Sequence, residues 1–283
     1  MRVADRRPTS SFTISVVVPA RNEARNLEVV LPGLPAGVEV IVVDGHSVDD
    51  SEQVVASVRP DARFIQQTRR GRGNALAVGF AAATGDIIVV FAADGSADPS
   101  GINRFVVTLL AGADFAKGSR VLPGGGSRDI SRLCNLGNKA LTLLANAGFR
   151  ARCNDLCYGY NAFWADILPQ LDLPDTQQVS GPMIWGDGFE IDTLINCRVD
   201  AANLDVTEVP CVELLRPFGT GSLHSLEDGL RVVKTVATEW RRTHRGKPWA
   251  TGSGRGPAHA EVTGARPPAI DLHPNLSAKQ HAR

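Results

Sequence analysis

Short apolar runs alternate with amphipathic stretches through residues 11–118. Each apolar run has the length of one buried strand, and the stretches between them space their apolar residues as a helix does. Strands that alternate with helices predict a mostly parallel sheet with helices on both faces. Five strands are expected, in TISVVVPA, VEVIVVDG, ARFIQQ, DIIVVFAAD and ADFAKGS.

The second half of the chain is less regular. Helical spacing predicts helices at 128–147, 188–202 and 226–241, and short apolar runs predict strands at 158–164 and 205–214. Beyond residue 243 the chain is rich in Gly, Pro and Ala and has little to bury, which predicts disorder. We expect an N-terminal tail at 1–12, one domain with halves at 13–118 and 119–240, and a basic tail at 241–283.

Composition narrows the class of protein. A chain of 283 residues that is 43% hydrophobic is neither disordered nor a disulfide mini-protein. Its formal net charge of zero argues against a nucleic-acid partner. The tail at 241–283 nevertheless holds eight basic and two acidic residues. Such a tail suits peripheral contact with an anionic membrane, and equally a solvated appendage.

Cysteine usage and hydropathy indicate the compartment. The five cysteines are odd in number and irregularly spaced, and the chain starts without the apolar run of a signal peptide. A reducing, cytoplasmic location is expected, with association at the inner face of the plasma membrane as an option. No apolar run reaches 18 residues, so membrane contact would be peripheral.

Polar residues just past the predicted strands are the first candidates for chemistry, because parallel sheets bind ligands at the carboxyl ends of their strands. Asp44 closes the second strand and could accept a hydrogen bond from a nucleotide base or a ribose hydroxyl. The alternative is a capped turn in which Ser47 or Asp49 serves the next helix. The pattern leaves both interpretations open.

Two further strand ends suggest an anion and a cation. The sequence RGRGN at 70–74 enters a helix, and its glycines, its arginines and the helix start favour a diphosphate. The alternative is that the glycines merely form a turn before the helix. Asp94 is placed to hold Mg²⁺ or Mn²⁺, which would bridge to diphosphate oxygens. Asp98 is expected to cap a helix with Pro99 at its first position, which leaves Asp94 without a structural explanation.

The order and spacing of these motifs carry a resemblance. VVVPARNE, VDGHSVDDS, RGRGNA and GDIIVVFAADGSADP resemble the family 2 glycosyltransferases of the GT-A fold, and more narrowly their dolichol-phosphate mannosyltransferase-like branch. The likeness covers about 13–238 and continues through GSRVLPGGG, DLCYGYNAFW, GFEIDTLI and RPFGTGSL. It implies an α/β, Rossmann-like GT-A sheet flanked by helices, with an irregular acceptor-side half. It also implies a metal-dependent, inverting transfer from a UDP- or GDP-linked sugar.

The resemblance also implies a role for each matching residue. The residues that would bind the nucleotide sugar are Pro19, Ala20, Asn22, Glu23, Asp44, Arg72 and Asp94. Asp44 would hold the base, Arg72 would lie near the diphosphate, and Asp94 would hold the metal. Asp155, Asp187 and Glu190 would face the sugar and the acceptor as the catalytic set.

One position departs from the family pattern. The metal motif of the family is Asp-x-Asp, and Ala92 stands here at the first aspartate. Losing one carboxylate should weaken the binding of metal or nucleotide. The chain could be a natural variant in which Asp94 suffices, a form inactivated in the laboratory, or a nucleotide-sugar-binding protein without turnover.

The acceptor decides whether a base is needed. A polyprenyl phosphate, the acceptor we expect, is already an anionic nucleophile at neutral pH. Its phosphate would be cradled by a cluster around a Gly-rich loop and a helix start, namely Arg120, Arg128, Ser131 and Arg132, unless these side chains are merely solvated. The alternative acceptor is a hydroxyl of a glycan or natural product, which would need Asp187 or Glu190 as base. Departures from the lipid branch at Cys157, Tyr158 and Tyr160 favour that alternative.

Overall fold

A computed structural model describes residues 7, 11–130, 132–149, 153–177, 181–219 and 225–244. Its centre is a seven-stranded sheet in the order β3-β2-β1-β4-β7-β5-β8, and β6 pairs with β9 beside it. The strands are β1 Ile14–Ala20, β2 Glu39–Asp44, β3 Arg63–Gln66, β4 Ile87–Val90, β5 Phe115–Ser119, β6 Gly126–Ser127, β7 Asn161–Trp164, β8 Val206–Pro210 and β9 Val212–Glu213. The α-helices are α1 Ala24–Val30, α2 Ser51–Val58, α3 Arg72–Ala82, α4 Ile102–Leu110, α5 Arg132–Phe149, α6 Leu168–Leu171, α7 Ile191–Ala201 and α8 Ser225–His244. The predicted α/β sheet flanked by helices is confirmed.

Apolar residues on both faces of the strands explain the three-layer arrangement. In β1, Val16 and Val18 face a core that contains Leu27 of α1, whereas Val17 faces the opposite core with Leu76 of α3. A strand buried on both sides reads as a continuous apolar run because neither face meets water. The sheet is therefore covered by α1, α2 and α4 on one face and by α3 and α7 on the other.

Strand β7 is the exception to the parallel order. It runs antiparallel to both β4 and β5, so the segment that precedes it arrives at the edge where β4 and β5 end. Phe163 fixes β7 by stacking on Phe115 at 5.7 Å between ring centroids and by meeting Phe80 edge-on at 5.3 Å. This insertion brings residues 155–160 to the carboxyl edge of the parallel strands.

The last helices close the second half of the domain. Helix α8 packs on α5 and α7 around Ala145, Leu156, Cys197 and Val236. It extends through His244, past the predicted boundary at residue 240, while residues 245–283 lie outside the described part. The predicted N-terminal tail includes two anchored residues: Phe12 is buried, and Arg7 forms ion pairs. Each described helix is too short or too polar to cross a lipid bilayer.

Candidate donor and acceptor site

The buried aspartate at the end of β2 keeps one oxygen available. Asp44 is 2% exposed, and its Oδ2 accepts a hydrogen bond from the Ser47 amide at 3.0 Å. Its Oδ1 is buried and has no hydrogen-bond partner among the described residues. A buried acceptor without a partner is costly, so this oxygen is suited to receive an N–H or O–H of a ligand.

The loop after β1 is organised by its own side chains. Pro19 and Ala20 pair with Val43 and Asp44 across β1 and β2. Asn22, in the left-handed region at φ 55°, accepts a hydrogen bond from the Val48 amide at 2.9 Å, and its own amide donates to Ser47. Asn22 thus ties the β1 and β2 loops together, which shapes the edge around Asp44.

Asp49 makes the turn contacts that the alternative interpretation expected. Its Oδ2 accepts from the Ala24 amide at the start of α1, and its Oδ1 accepts from the amide and hydroxyl of Ser51 at the start of α2. These bonds lower the pKa of the Asp49 carboxyl, although burial opposes them. The capped turn and the available Asp44 oxygen coexist, because different residues provide them.

The glycines at the start of α3 serve the protein backbone. The amides of Gly73 and Asn74 donate to the Asp187 carbonyl at 2.7 and 3.2 Å. A Cβ at Gly73 would lie 1.8 Å from the Gly186 carbonyl oxygen, and one at Gly71 would lie 2.1 Å from that of Asp187. The sequence favoured a diphosphate at this helix start. The structure corrects that interpretation, because these amides already donate to a backbone carbonyl.

The predicted diphosphate arginine points to α7. Arg72 Nε lies 3.1 Å from the Asp192 carboxylate and forms an ion pair with it. The Arg72 side chain remains one-fifth exposed. Arg72 therefore joins α3 to α7, and its role toward a donor stays a prediction.

Asp94 follows β4 and both of its oxygens are engaged. Oδ1 accepts from the amide and hydroxyl of Ser96 at 3.0 and 2.6 Å, and Oδ2 lies 3.2 Å from Nη2 of Arg216. Asp98 caps the turn at Pro99–Gly101 by accepting from the Ser100 amide, as predicted. Glu23 lies near Asp94, and its pKa is raised by burial, lowered by the Asn26 amide and raised again by the Asp94 charge.

These residues do not form a cation site by themselves. Among the described residues, no three His, Cys, Asp or Glu side chains gather so that they could hold a metal ion. The expected Mg²⁺ or Mn²⁺ would have Asp94 as its one carboxylate ligand, and a guanidinium already faces that carboxylate. A cation and an arginine compete for the same oxygen. The residues present thus fit an arginine better than a divalent ion.

A cavity of about 120 Å³ opens beside the loop after β5 and the start of α5. Its lining is Arg120, Val121, Ser127, Ile130, Asn135, Asn138 and Asp155. Arg120 donates from Nε and Nη2 to Asp155 at 2.8 and 2.9 Å, and its Nη1 lies 3.2 Å from both oxygens of Glu213. The structure thus joins a predicted catalytic residue and a predicted phosphate-binding residue in one cavity.

At this cavity one guanidinium, that of Arg120, faces two carboxylates, those of Asp155 and Glu213. Burial raises the pKa of the Asp155 carboxyl, but the hydrogen bonds from Arg120 and the positive charges of Arg120 and Lys117 together outweigh burial and leave the pKa below its ordinary value. Asp155 also accepts from the Asn138 amide at 2.8 Å, so each of its oxygens has a partner. Asp155 is therefore placed to hold Arg120 in position, and it is not available to take a proton from an acceptor.

The other predicted phosphate ligands lie around the same loop. Arg128 is exposed, and its amide donates to the Glu213 carbonyl at 3.0 Å, across β6 and β9. Ser131 lies outside the described residues, as does the side chain of Arg132, whose backbone begins α5. Their contribution to the cradle stays a prediction.

Two predicted catalytic carboxylates lie below the surface next to α7. Asp187 is fully buried and receives two hydrogen bonds from Arg69, at 2.8 Å from Nε and 3.0 Å from Nη2. Glu190 accepts from the amides of Gly186 and Gly188 through Oε1, while its Oε2 is buried and has no hydrogen-bond partner among the described residues. Glu190 is thus the one of the pair with an available oxygen.

Three residues of the site were missed in the sequence, namely Arg69, Glu213 and Arg216. Arg69 directly precedes RGRGN, and Arg216 is the first residue of RPFGTGSL, so both lie at motifs that the sequence analysis had identified. Their partners are 118 and 122 positions away in the chain. Such pairing follows from the fold and is not visible in local spacing.

Comparisons with known proteins agree with this architecture. The family model Glycosyl transferase family 2 matches residues 15–165, just over half of the chain. An uncharacterized glycosyltransferase of Mycobacterium tuberculosis is 40% identical over 107 residues, which cover 38% of this chain and 48% of that relative. The match therefore spans about half the length of that relative. Polyprenol monophosphomannose synthase of Mycolicibacterium smegmatis is 26% identical over 83% of this chain and 88% of its own.

A solved structure supports the fold. Glucosyl-3-phosphoglycerate synthase from Mycobacterium tuberculosis, crystallised with Mn²⁺, UDP and glucosyl-3-phosphoglycerate, superposes with a TM-score of 0.62 at 21% identity, over 81% of this chain and 80% of that one. At this identity the likeness establishes the GT-A architecture alone. The family match, the confirmed sheet and the resemblance of the motifs lead to one conclusion: this chain belongs to glycosyl transferase family 2.

Proposed function

We propose that this chain transfers a sugar from a nucleoside diphosphate sugar to a polyprenyl phosphate at a membrane surface, with inversion at the anomeric carbon. The observation that carries the proposal is the cavity lined by Arg120, Asn135 and Asn138. Ion pairs connect this cavity to the donor edge, which we define as the carboxyl ends of β1, β2 and β4 with Asp44 and Asp94. Arg216 lies between Asp94 and Asp129, 3.2 and 3.1 Å away, and Asp129 belongs to the loop that borders the cavity. Donor and acceptor would thus meet at one edge of the sheet.

The donor end rests on Asp44. Its unpartnered Oδ1 would accept an N–H of the base, which both uracil and guanine offer. The loop that Asn22 holds would cover the nucleoside, and Glu23 and Asp94 would border the diphosphate. The expected divalent cation would have Asp94 as its carboxylate ligand.

The nucleophile explains why occupied carboxylates are compatible with transfer. A phosphate monoester has a second pKa of about 6, so it is mostly dianionic at neutral pH and needs no base. One phosphate oxygen attacks the anomeric carbon, the bond from that carbon to the diphosphate breaks, and the nucleoside diphosphate leaves with the electron pair. Asp155 and Asp187 hold arginines throughout, and Arg120 faces the incoming phosphate.

A hydroxyl acceptor is the second candidate, and Glu190 favours it. Its Oε2 is buried and has no hydrogen-bond partner among the described residues, so this oxygen is available to accept a proton as a general base. In that reaction the hydroxyl proton passes to the Glu190 carboxylate as the oxygen attacks. Glu190→Gln would abolish such a transfer, whereas transfer to a phosphate would continue.

The test is a transfer assay with UDP- and GDP-sugars, with Mg²⁺, Mn²⁺ or EDTA, and with polyprenyl phosphate in micelles. The expected product is a glycosyl lipid identified by mass, and the unphosphorylated polyprenol should give none. Asn135→Ala should raise the KM for the lipid, and the matched control Asn103→Ala on the exposed face of α4 should not. Transfer to soluble hydroxyl acceptors instead of the lipid phosphate would overturn the proposal. Donor binding without any transfer would identify a nucleotide-sugar-binding protein.

A further inference from the structure

The arginine beside Asp94 is built into the donor edge. The segment that carries Arg216 is held at both ends: the Leu214 amide donates to the Ser96 carbonyl at 2.8 Å, and Phe218 exchanges two hydrogen bonds of 3.2 Å with the Asn26 side chain. Arg25 lies over the Phe218 ring at 4.0 Å. Arg216 is thus positioned by the fold at the carboxyl end of β4.

Close packing fixes the same segment against the loop after β4. Gly95 has φ 76°, and a Cβ there would lie 2.6 Å from Cδ of Pro217. A glycine is needed at this position both for its backbone conformation and for the approach of Pro217. The loop 94–96 and the segment 214–218 therefore form one unit.

The contacts of Arg216 leave its Nε without a hydrogen-bond partner among the described residues. Nη2 faces Asp94 at 3.2 Å, and Nε lies 3.1 Å from Asp129, in a contact that lacks hydrogen-bond geometry. A guanidinium carries five N–H donors in a planar fork, and that fork matches two oxygens of a phosphate. Arg216 could therefore turn donors to a diphosphate while it stays near Asp94.

The absence of a carboxylate at residue 92 suggests a role for Arg216. A cation held between Asp94 and a second aspartate would bring positive charge to the diphosphate, but residue 92 is alanine. Arg216 already brings one positive charge to Asp94. We propose that Arg216 binds the donor diphosphate directly, so that this chain binds nucleoside diphosphates without a divalent cation. The inference rests on the donor class in the proposed function.

The experiment is calorimetric titration of the full chain with UDP and with GDP, in EDTA and then in Mg²⁺ or Mn²⁺. The wild type is expected to bind one of them in EDTA with a Kd within about threefold of its value with cation. Arg216→Gln should weaken binding in EDTA roughly ten- to hundredfold, because it removes charge-assisted hydrogen bonds. Binding of the bare nucleoside should not change. The matched control Arg104→Gln, on the exposed face of α4, should leave all these values unchanged.

Two further variants keep the test decisive. Arg216→Lys preserves the charge and should retain part of the affinity, which covers the case in which Arg216→Gln does not fold. Ala92→Asp restores a second carboxylate and should make binding depend on Mg²⁺ or Mn²⁺. Wild-type binding that requires a cation, with Arg216→Gln unaffected, would overturn this inference and leave the transferase proposal standing. Absence of nucleotide binding in every condition would remove the donor class and both proposals together.

Discussion

The ion pair between Arg69 and Asp187 is expected to hold the fold together, although Asp187 was predicted as a candidate base. Arg69 is 1% and Asp187 0% exposed in their side chains, and two hydrogen bonds join them. Asp187 also accepts from the Ile184 amide at 2.8 Å, while its carbonyl accepts from the first turn of α3. Removing the carboxylate charge would take from the buried guanidinium the ion pair that stabilises it most directly.

The expected cost follows from that burial. Breaking a buried pair by removing one partner destabilises a protein by about 3–5 kcal/mol, because the remaining charge stays out of water. In a domain of this size, each kcal/mol lowers Tm by about 2–4 °C, so Asp187→Asn should lower it by roughly 6–20 °C. Replacing both partners with apolar residues, as in Arg69→Met with Asp187→Leu, should cost less than the two single changes together.

Urea unfolding followed by tryptophan fluorescence would measure these free energies. The matched control is Asp61→Asn in the pair Arg59–Asp61, where the Asp61 side chain is 62% exposed, and it should cost less than about 1 kcal/mol. If Asp187→Asn kept the free energy of unfolding within about 1 kcal/mol of wild type and yet lost transfer, the carboxylate would be acting on substrate. That result would refute the structural account.

Three other variants test the packing and the electrostatics. Gly73→Ala places a methyl 1.8 Å from the Gly186 carbonyl oxygen and should reduce the free energy of unfolding by about 1–3 kcal/mol. In the control Gly137→Ala, in α5, the added Cβ meets nothing within 4 Å, so the free energy of unfolding should increase by about 0.5–1 kcal/mol. Burial raises the pKa of Asp200 to about 6 from 3.8, so the folded state binds a proton more tightly than the unfolded state and stability falls as pH rises through this range. Asp200→Asn should therefore raise the free energy of unfolding at pH 8 by at most about 3 kcal/mol, with the gain vanishing near pH 4. Urea titrations at both pH values decide it: an equal gain at both would contradict the burial explanation.

The central strands β1, β2 and β4 were predictable, because each is buried on both faces and reads as an unbroken apolar run. Helices α5, α7 and α8 begin and end within about four residues of their predicted bounds at 128–147, 188–202 and 226–241. The direction of β7 was not predictable, since an antiparallel strand buried among parallel ones has the same apolar pattern. That direction decides the site, because it brings Asp155 to Arg120.

The glycines illustrate a second limit. The sequence RGRGN is compatible with an anion at a helix start or with a close approach of another backbone, since both need the absence of a Cβ. The structure places the carbonyls of Gly186 and Asp187 there, from a segment more than a hundred residues later in the chain. A local motif therefore predicts that space is needed beside a glycine, but it does not predict which group fills that space.

The two proposals share one physical basis, which is the pairing of carboxylates with arginines along the carboxyl edge of the sheet. Asp94, Asp155 and Asp187 each face a guanidinium, from Arg216, Arg120 and Arg69 respectively. A carboxylate in such a pair is a poor base, because the neighbouring positive charge favours its ionised form. An acceptor that is already anionic avoids the need for a base. A diphosphate that meets an arginine at Asp94 likewise avoids the need for two metal-binding carboxylates. Phosphate chemistry at both ends of the reaction is therefore what this arrangement of charges favours.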